Sequence, residues 1–180
     1  MSINKNIVLL TGPPGAGKGT QSSIVADNFG WHVFSVGQLL RDTAPPRIKA
    51  MVDSGILLPK EEVVNLVLDE IKKEDGPVLV DGFPRRLDQI EAFAEMAQER
   101  QIGNYSVVLL FVNEDESWGR VSGRGRVDDE RSAWEHRWKE YYQHTRPAVD
   151  KCDDMGILSK VDGSGNVEDV ADRMQEALGL

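Results

Sequence analysis

The chain has 180 residues, of which 40% are hydrophobic and 28% charged, the size and composition of one folded domain rather than of a disordered chain. Its formal net charge of −9 repels polyanions at long range, so we expect no nucleic-acid partner. A single cysteine excludes an internal disulfide and a multi-thiolate metal site, and the longest apolar run, 107–112, is far shorter than the roughly 20 residues that cross a membrane.

Short apolar runs alternate with segments of helical spacing along the chain. Strands are predicted at 6–11, 31–34, 77–80, 107–112 and 157–161, and helices at 21–29, 61–70, 87–97, 129–152 and 167–178. Strands separated by helices favour right-handed crossovers and a parallel sheet covered on both faces. Neither a repeat nor a Pro/Gly-rich linker divides the sequence, so the expected fold class is α/β with one core.

A glycine-rich segment follows the first predicted strand. Residues 12–20 read GPPGAGKGT, which fits the phosphate-loop pattern of a glycine, four residues, a glycine and a lysine. Glycines let backbone N–H groups approach phosphate oxygens, the helix N-terminus adds its positive dipole end, and Lys18 can reach the β- and γ-phosphates. Gly19 departs from the general pattern, which has Ser or Thr after the lysine. A plain glycine turn is the alternative, and the strand context and the lysine disfavour it.

Five of the twelve arginines of this acidic chain lie within one short segment. Between 120 and 137 they are Arg120, Arg124, Arg126, Arg131 and Arg137. Because Gly119, Gly123 and Gly125 lie among them, the first part is predicted to be a flexible basic loop. The alternative is a solvated loop paired with the acidic residues at 128–130. Phosphoryl transfer favours the first interpretation, because guanidinium groups stabilise the charge of the transferring group in a closed site.

Polar residues also follow the second and third predicted strands, at the edge where open α/β sheets bind ligands. Asp81, in the segment DGFPR, is placed to act on Mg²⁺ directly or through water, with a simple strand-end cap as the alternative. Arg85 is a candidate clamp for a second phosphate, and Arg41, in SVGQLLR, offers a further guanidinium at a helix start. A phosphate acceptor is already an anionic nucleophile and needs no general base, so the arginines favour phosphate over an alcohol as acceptor.

These motifs and their order resemble the adenylate kinase family of nucleoside monophosphate kinases over essentially the whole chain. The matching segments are GPPGAGKGT, SVGQLLR, DGFPR with Gln89, RVSGRGRVDD with Arg137, and KVDGSGNVEDV. The resemblance implies one domain over 1–180, with a P-loop NTPase-type five-stranded parallel sheet and helices on both faces. It implies two mobile parts, a monophosphate-binding segment at about 35–64 and a short lid at about 120–130. It also implies reversible Mg²⁺-dependent transfer of the ATP γ-phosphoryl group to AMP, giving two ADP.

The resemblance assigns roles by motif position. The residues expected to bind ATP are Gly15, Ala16, Gly17, Lys18, Gly19, Thr20, Arg120, Arg124 and Gly165, with Arg120 and the backbone of Gly165 against the adenine. Those expected to bind the monophosphate are Val36, Gly37, Arg41, Leu58, Gly82, Arg85, Gln89, Arg126 and Arg137. Catalysis is expected from Lys18, Arg85, Arg126 and Arg137, with Asp81 holding Mg²⁺ through water. The Phe83–Pro84 peptide bond is expected to be cis.

Three departures from the family bear on the acceptor. Val36 stands where adenylate kinases usually have Thr and UMP-type relatives Ala, Gln38 replaces the usual Asp, and the segment 41–55 is short and contains two prolines. The lid is also short, and it has no cysteine to bind zinc. UMP, CMP or broad specificity is therefore the alternative to AMP.

Two further function classes stay open from the sequence, a small-molecule hydroxyl kinase and a catalytically silent nucleotide-binding module. The expected partners are ATP and a nucleoside monophosphate, without nucleic acid or membrane, and the resemblance suggests a monomer. The first six residues lack the long apolar stretch of a signal peptide, so we expect a cytoplasmic protein.

Overall fold

The computed structural model describes residues 6–43, 58–123 and 130–180. Its centre is a five-stranded sheet in the order β2-β3-β1-β4-β5, in which every neighbouring pair is parallel. The strands are β1 (Ile7–Thr11), β2 (His32–Ser35), β3 (Val78–Asp81), β4 (Tyr105–Phe111) and β5 (Leu158–Asp162). Each lies within two residues of its predicted bounds, so the prediction of a five-stranded parallel sheet is confirmed.

Helices cover both faces of this sheet. Those in the described ranges are α1 (Lys18–Phe29), α2 (Val36–Thr43), α3 (Lys60–Lys73), α4 (Leu87–Glu99), α5 (Glu114–Ser122), α6 (Arg131–Glu140), a π-helical segment (Tyr141–Thr145), α7 (Arg146–Asp154) and α8 (Val167–Leu178). None of the helices in the described part of the chain is long and apolar enough to cross a membrane.

Each face of the sheet has its own apolar core, because successive strand residues point to opposite faces. Leu9 and Val80 pack with α3, α4 and α7, whereas Leu10 and Leu79 pack with α1 and α8. All four side chains are completely buried. The central strands are thus apolar on both faces, which is typical of a parallel sheet between two helical layers.

One helix in the described residues, α5, was not predicted from the sequence, and it corrects the expected basic loop. Arg120 lies in the last turn of α5, so the prediction of a flexible loop is wrong at this residue. The side chain of Asn113 caps α5 by accepting a hydrogen bond from the Glu116 N–H at 2.9 Å, and three acidic residues occupy the first turn. This cap and these charges are the signal that predicts a helix start here. A helix start was expected at Arg41, but α2 begins directly after β2 and places Arg41 in its last turn.

The sheet order places a crevice at the carboxyl ends of β1 and β3. The chain leaves β1 towards β2 on one side, and it leaves β3 towards β4 on the other. Ligands of open α/β sheets bind at such a switch point. The backbone N–H of Gly82 donates to the Leu10 carbonyl at 2.9 Å, which holds the segment after β3 against the end of β1. The candidate site is built around this crevice.

Candidate active site

The loop between β1 and α1 can be built only with glycine at two of its positions. At Gly12, with φ +148°, a Cβ atom would lie 2.0 Å from the Leu110 carbonyl oxygen. At Gly15, with φ +73°, it would lie 2.6 Å from the Ser117 Oγ. Because α1 begins at Lys18, the N–H groups of its first turn have no acceptor within the helix. The loop therefore presents backbone donors at a helix N-terminus, an arrangement that binds phosphate.

The predicted ATP-binding residues of this loop lie together. Ala16 is 1% exposed and anchors the loop in the core, whereas Gly19 and Thr20 are exposed at the start of α1. Gly17 precedes the helix in a left-handed conformation. The exposed side of the loop is the side that a ligand can reach.

Lys18 is held in place by the loop from which it projects. Its Nζ donates to the carbonyl oxygens of Gly12, at 2.8 Å, and Pro13, at 2.9 Å. Burial lowers the pKa of Lys18 to about 8, an effect that the charge of Asp81 opposes and those of Arg85 and Arg137 reinforce. The ammonium group thus lies in a site that disfavours its charge, and an incoming phosphate would stabilise it.

Asp81 and Arg85 lie where β3 ends, beside the phosphate loop. Asp81 pairs in register with Leu10 on one side and Ser35 on the other. Burial raises the pKa of Asp81, while the charges of Lys18 and Arg85 act in the opposite direction. Desolvation lowers the pKa of Arg85, although this side chain is exposed to the open crevice, and Asp81 opposes the effect. Carboxylate, ammonium and guanidinium therefore interact at the edge of the sheet.

Arg85 is held by four hydrogen bonds, three through the backbone at 84–85 and one through its own side chain. Thr11 Oγ1 donates to the Pro84 carbonyl at 2.7 Å, and Thr145 Oγ1 donates to the Arg85 carbonyl at 3.0 Å. The Arg85 N–H donates to Gln89 Oε1 at 2.9 Å, and its Nε donates to the Gly82 carbonyl at 3.0 Å. The Phe83–Pro84 peptide bond is cis, as expected. Thr145 belongs to the π-helical segment that interrupts the predicted helix at 129–152, and such segments are common at functional sites.

A second guanidinium approaches Arg85 from α2. A Cβ atom on Gly37 would lie 3.7 Å from Arg41 Nη1 and 4.0 Å from Arg85 Nη2, so both side chains reach the same glycine. Arg41 is oriented by Gln38, whose Oε1 accepts from Arg41 Nη2 at 2.8 Å. A neutral amide thus positions Arg41 without neutralising its charge. The arrangement can hold a phosphate between two guanidinium groups.

Three residues expected near the acceptor base are largely buried. Val36 is 5% exposed and Leu58 7%, and both belong to the core that packs under α3. Gln89 is 7% exposed, and its amide oxygen already accepts the Arg85 N–H. The side chain of Gln89 therefore directly supports the loop that carries Arg85.

A cavity of about 520 Å³ lies on the other side of the phosphate loop. It is lined by Gly15–Gly17, Thr20, Gln21, Arg120, Val121, Gly163 and residues 165–168 and 170. Arg120 Nη2 donates to the carbonyls of Gly163, at 2.7 Å, and Gly165, at 3.1 Å, and pairs with Glu116 Oε1 at 2.6 Å. The same Glu116 oxygen accepts the Gly165 N–H at 3.0 Å. Arg120 and Gly165, both predicted to bind ATP, thus lie together beside the phosphate loop.

Of the remaining predicted arginines, one lies among the residues that the structure describes and two lie outside them. Arg137 is half-buried on α6, and it lies close enough to Lys18 for its charge to lower the pKa of that residue. Arg124 and Arg126 lie outside the described residues, as do the two prolines at 45–46. The structure therefore brings Lys18, Arg85 and Arg137 together from three separate stretches of sequence.

The donor set fits a magnesium ion that arrives with a nucleotide. In the described ranges, no three His, Cys, Asp or Glu side chains converge to form a metal centre of their own. Magnesium bound mainly through phosphates needs only one or two carboxylates and keeps several waters. Asp81 supplies such a carboxylate next to Lys18, and burial raises its pKa, so an added cation relieves the cost of its charge.

Comparison with known proteins extends this picture. A family model described as adenylate kinase matches residues 10–157. The adenylate kinase of Clavibacter michiganensis is 36% identical over 183 residues, which cover 95% of this chain and 92% of the relative. That of Prochlorococcus marinus is 35% identical over 97% of this chain and 99% of its own. That of Thermus thermophilus is 34% identical over the full length of both. The similarity thus includes the phosphate loop, the Asp81–Arg85 segment and the helix of Arg137.

Proposed function

The chain belongs to the adenylate kinase family of phosphotransferases, whose general function is phosphoryl transfer between ATP and AMP, and from this premise we propose how its own residues perform that transfer. The observation that carries the proposal is the convergence of one ammonium and three guanidinium groups, from Lys18, Arg41, Arg85 and Arg137, at one edge of the sheet in a chain of net charge −9. Local concentration of these donors overcomes the unfavourable overall field.

The donor nucleotide occupies the phosphate loop and the neighbouring cavity. The amides at the start of α1 hold the β- and γ-phosphates, and Lys18 exchanges its two carbonyl acceptors for phosphate oxygens. Arg120 and the backbone of Gly165 border the adenine. The cavity of about 520 Å³ is large enough for a base and its ribose.

The acceptor phosphate lies between Arg41 and Arg85, on the other side of the crevice. Both guanidinium groups reach Gly37, which leaves room for a phosphate close to the backbone. Three hydrogen bonds fix the backbone at 84–85, and with the bond from Arg85 Nε to the Gly82 carbonyl they restrict where the guanidinium can go. A preorganised pair of this kind positions the acceptor in line with the γ-phosphate.

Transfer itself needs charge stabilisation rather than a general base. The acceptor phosphate oxygen is already anionic, and it attacks the γ-phosphorus while the β–γ bridging bond breaks. Lys18, Arg85 and Arg137, together with Arg126 from outside the described residues, stabilise the charge on the transferred group. Magnesium, which the family generally requires, would further neutralise the donor phosphates, and Asp81 is the residue that would hold it.

AMP is the proposed acceptor, and CMP or UMP is the second candidate. The second candidate is favoured by Val36, which offers no hydroxyl to a base, and by Gln89, whose amide oxygen already accepts the Arg85 N–H. A missing polar contact reduces discrimination by about 1–3 kcal/mol. The monomeric state, cytoplasmic location, absence of a nucleic-acid partner and the two mobile segments at 35–64 and 120–130 stay predictions.

The proposal is tested by offering AMP, CMP, UMP and GMP in turn to the purified chain with MgATP and measuring ADP. We expect ADP with AMP at the highest kcat/KM, and a loss of several orders of magnitude in Lys18→Ala with an unchanged far-ultraviolet circular dichroism spectrum. Binding of ATP without ADP from any monophosphate would identify a silent nucleotide-binding module instead.

A further inference from the structure

Ser117 has a hydroxyl group whose hydrogen-bonding capacity is completely used. The residue is 0% exposed, in the middle of α5. Its Oγ donates to the Pro14 carbonyl at 2.7 Å and accepts from the indole Nε1 atoms of Trp134, at 2.9 Å, and Trp138, at 3.0 Å. A carbonyl can only accept and an indole can only donate, so the direction of all three bonds is fixed. One buried atom therefore joins three elements.

The first of these elements is the phosphate loop. Pro14 and Gly15 are inside it, and a Cβ atom on Gly15 would lie 2.6 Å from Ser117 Oγ and 2.8 Å from the Ser117 carbonyl oxygen. The loop thus packs directly on Ser117, without a side chain between them. A shift of Ser117 would move the backbone that is proposed to hold the ATP phosphates.

The second element is α6, which carries Arg137. Trp134 and Trp138 are one helical turn apart and are 2% and 5% exposed, so two bonds to one oxygen fix both the rotation and the axial position of this helix. Arg137 lies between the two tryptophans in sequence, and its charge acts on Lys18 across the crevice. Ser117 therefore links the helix that carries Arg137 to the phosphate loop.

We propose that Ser117 is a positioning residue that holds Arg137 in register with the phosphate loop, through Pro14 on one side and the two indoles on the other. The inference rests on the proposed function, in which the transferred group lies between Lys18 and Arg137. Misplacement of a group that acts on the transition state by about 1 Å can cost a hundredfold in rate. Ser117 thus acts on the reaction without touching the substrate.

The hydrogen bonds are tested first, by nuclear magnetic resonance of the indole N–H groups. The chain has four tryptophans, so each Nε1 resonance can be assigned by single Trp→Phe variants. In Ser117→Ala, the resonances of Trp134 and Trp138 should shift and exchange faster with solvent, while that of Trp31, which packs with Leu10 and Leu79 in a separate cluster, stays in place. Unchanged resonances of Trp134 and Trp138 would overturn the inference.

The positioning role is tested by a double-mutant cycle in kcat. We expect Ser117→Ala to lower kcat about tenfold in the otherwise unchanged protein, and less than about twofold when Arg137→Ala is also present, because the group that it positions is then gone. An equal loss in both backgrounds would show a merely structural role and overturn the inference. Ser132→Ala, which removes an exposed hydroxyl from α6, the helix of Arg137, is the matched control and should leave kcat unchanged.

A second variant keeps the test decisive if Ser117→Ala does not fold. Trp138→Phe removes one donor, replaces the indole by a smaller aromatic ring and keeps the serine, and its effect on kcat should again depend on Arg137. Failure of the proposed function is distinguishable, because an unchanged chain that makes no ADP from any monophosphate refutes that function while the indole resonances still report on Ser117.

Discussion

ATP binding should take up a proton at Lys18, and the amount should depend steeply on pH. Burial lowers the pKa of Lys18 to about 8 in the nucleotide-free protein, and the phosphates would raise this pKa again by favouring the charged form. At a pH between the pKa of Lys18 in the free protein and its pKa in the complex, Lys18 binds fewer protons in the free protein. Binding should therefore take up about a tenth of a proton at pH 7, about half at pH 8 and about nine-tenths at pH 9.

Isothermal titration calorimetry with MgATP measures this uptake. At pH 8 and 9, the observed enthalpy is recorded in buffers of different ionisation enthalpy, and its slope gives the protons taken up per ATP. At these pH values the phosphates are fully ionised, so the nucleotide contributes no proton of its own. The apparent affinity should fall as the pH rises above 8, because more of the free protein must first be protonated.

Two variants assign the proton to its residue. Lys18→Arg keeps the charge at every pH in this range and should abolish the uptake, whereas Lys160→Met removes an exposed lysine that pairs with Asp153 and should preserve it. Two results would refute the inference that burial lowers the pKa of Lys18. One is an observed enthalpy that does not depend on the buffer in the unchanged protein at pH 8 and 9, and the other is an undiminished dependence in Lys18→Arg.

Three further predictions concern single side chains. Arg41→Ala should raise the KM for AMP about tenfold and leave that for ATP unchanged in steady-state assays, and equal changes in both would contradict an acceptor role. Gly15→Ala should lower the unfolding free energy by about 1–3 kcal/mol in urea titrations, because the added Cβ atom would collide with Ser117. Gly76→Ala is the control and should change the unfolding free energy little, since its Cβ atom would have no neighbour within 4 Å. Burial raises the pKa of Cys152 to about 12, so a thiol reagent should label it at pH 8 only after denaturation, and rapid labelling of the native chain would contradict its burial.

The sheet was predictable from the sequence because its signal is local. Runs such as Val107–Leu110 are apolar at every position, and the structure buries each of these four side chains in a strand that has helices on both sides. The phosphate loop was predictable for the same reason, since its glycines, its lysine and the strand before it are contiguous. Convergence of Lys18, Arg85 and Arg137 followed from the resemblance, because nothing local in the sequence relates stretches so far apart.

The parts that sequence reasoning missed depend on contacts between distant segments. Ser117 carries no motif, and its importance appears only when Pro14 and the two indoles are brought around it. Glu116 is likewise one acid among several, until the fold places it between Arg120 and Gly165. Helix α5 itself was missed because its glycine and its arginine suggested a loop, although the Asn113 cap and the acidic first turn indicate a helix start.

The most direct test of the central claim is a crystal structure with two adenosines joined by five phosphoryl groups, which mimics both substrates at once. The account predicts a bridge within hydrogen-bond distance of Lys18 Nζ and of the Arg85 and Arg137 guanidinium groups, with one adenosine beside Arg120. A bridge that lies away from Lys18, or that touches neither arginine, would contradict it.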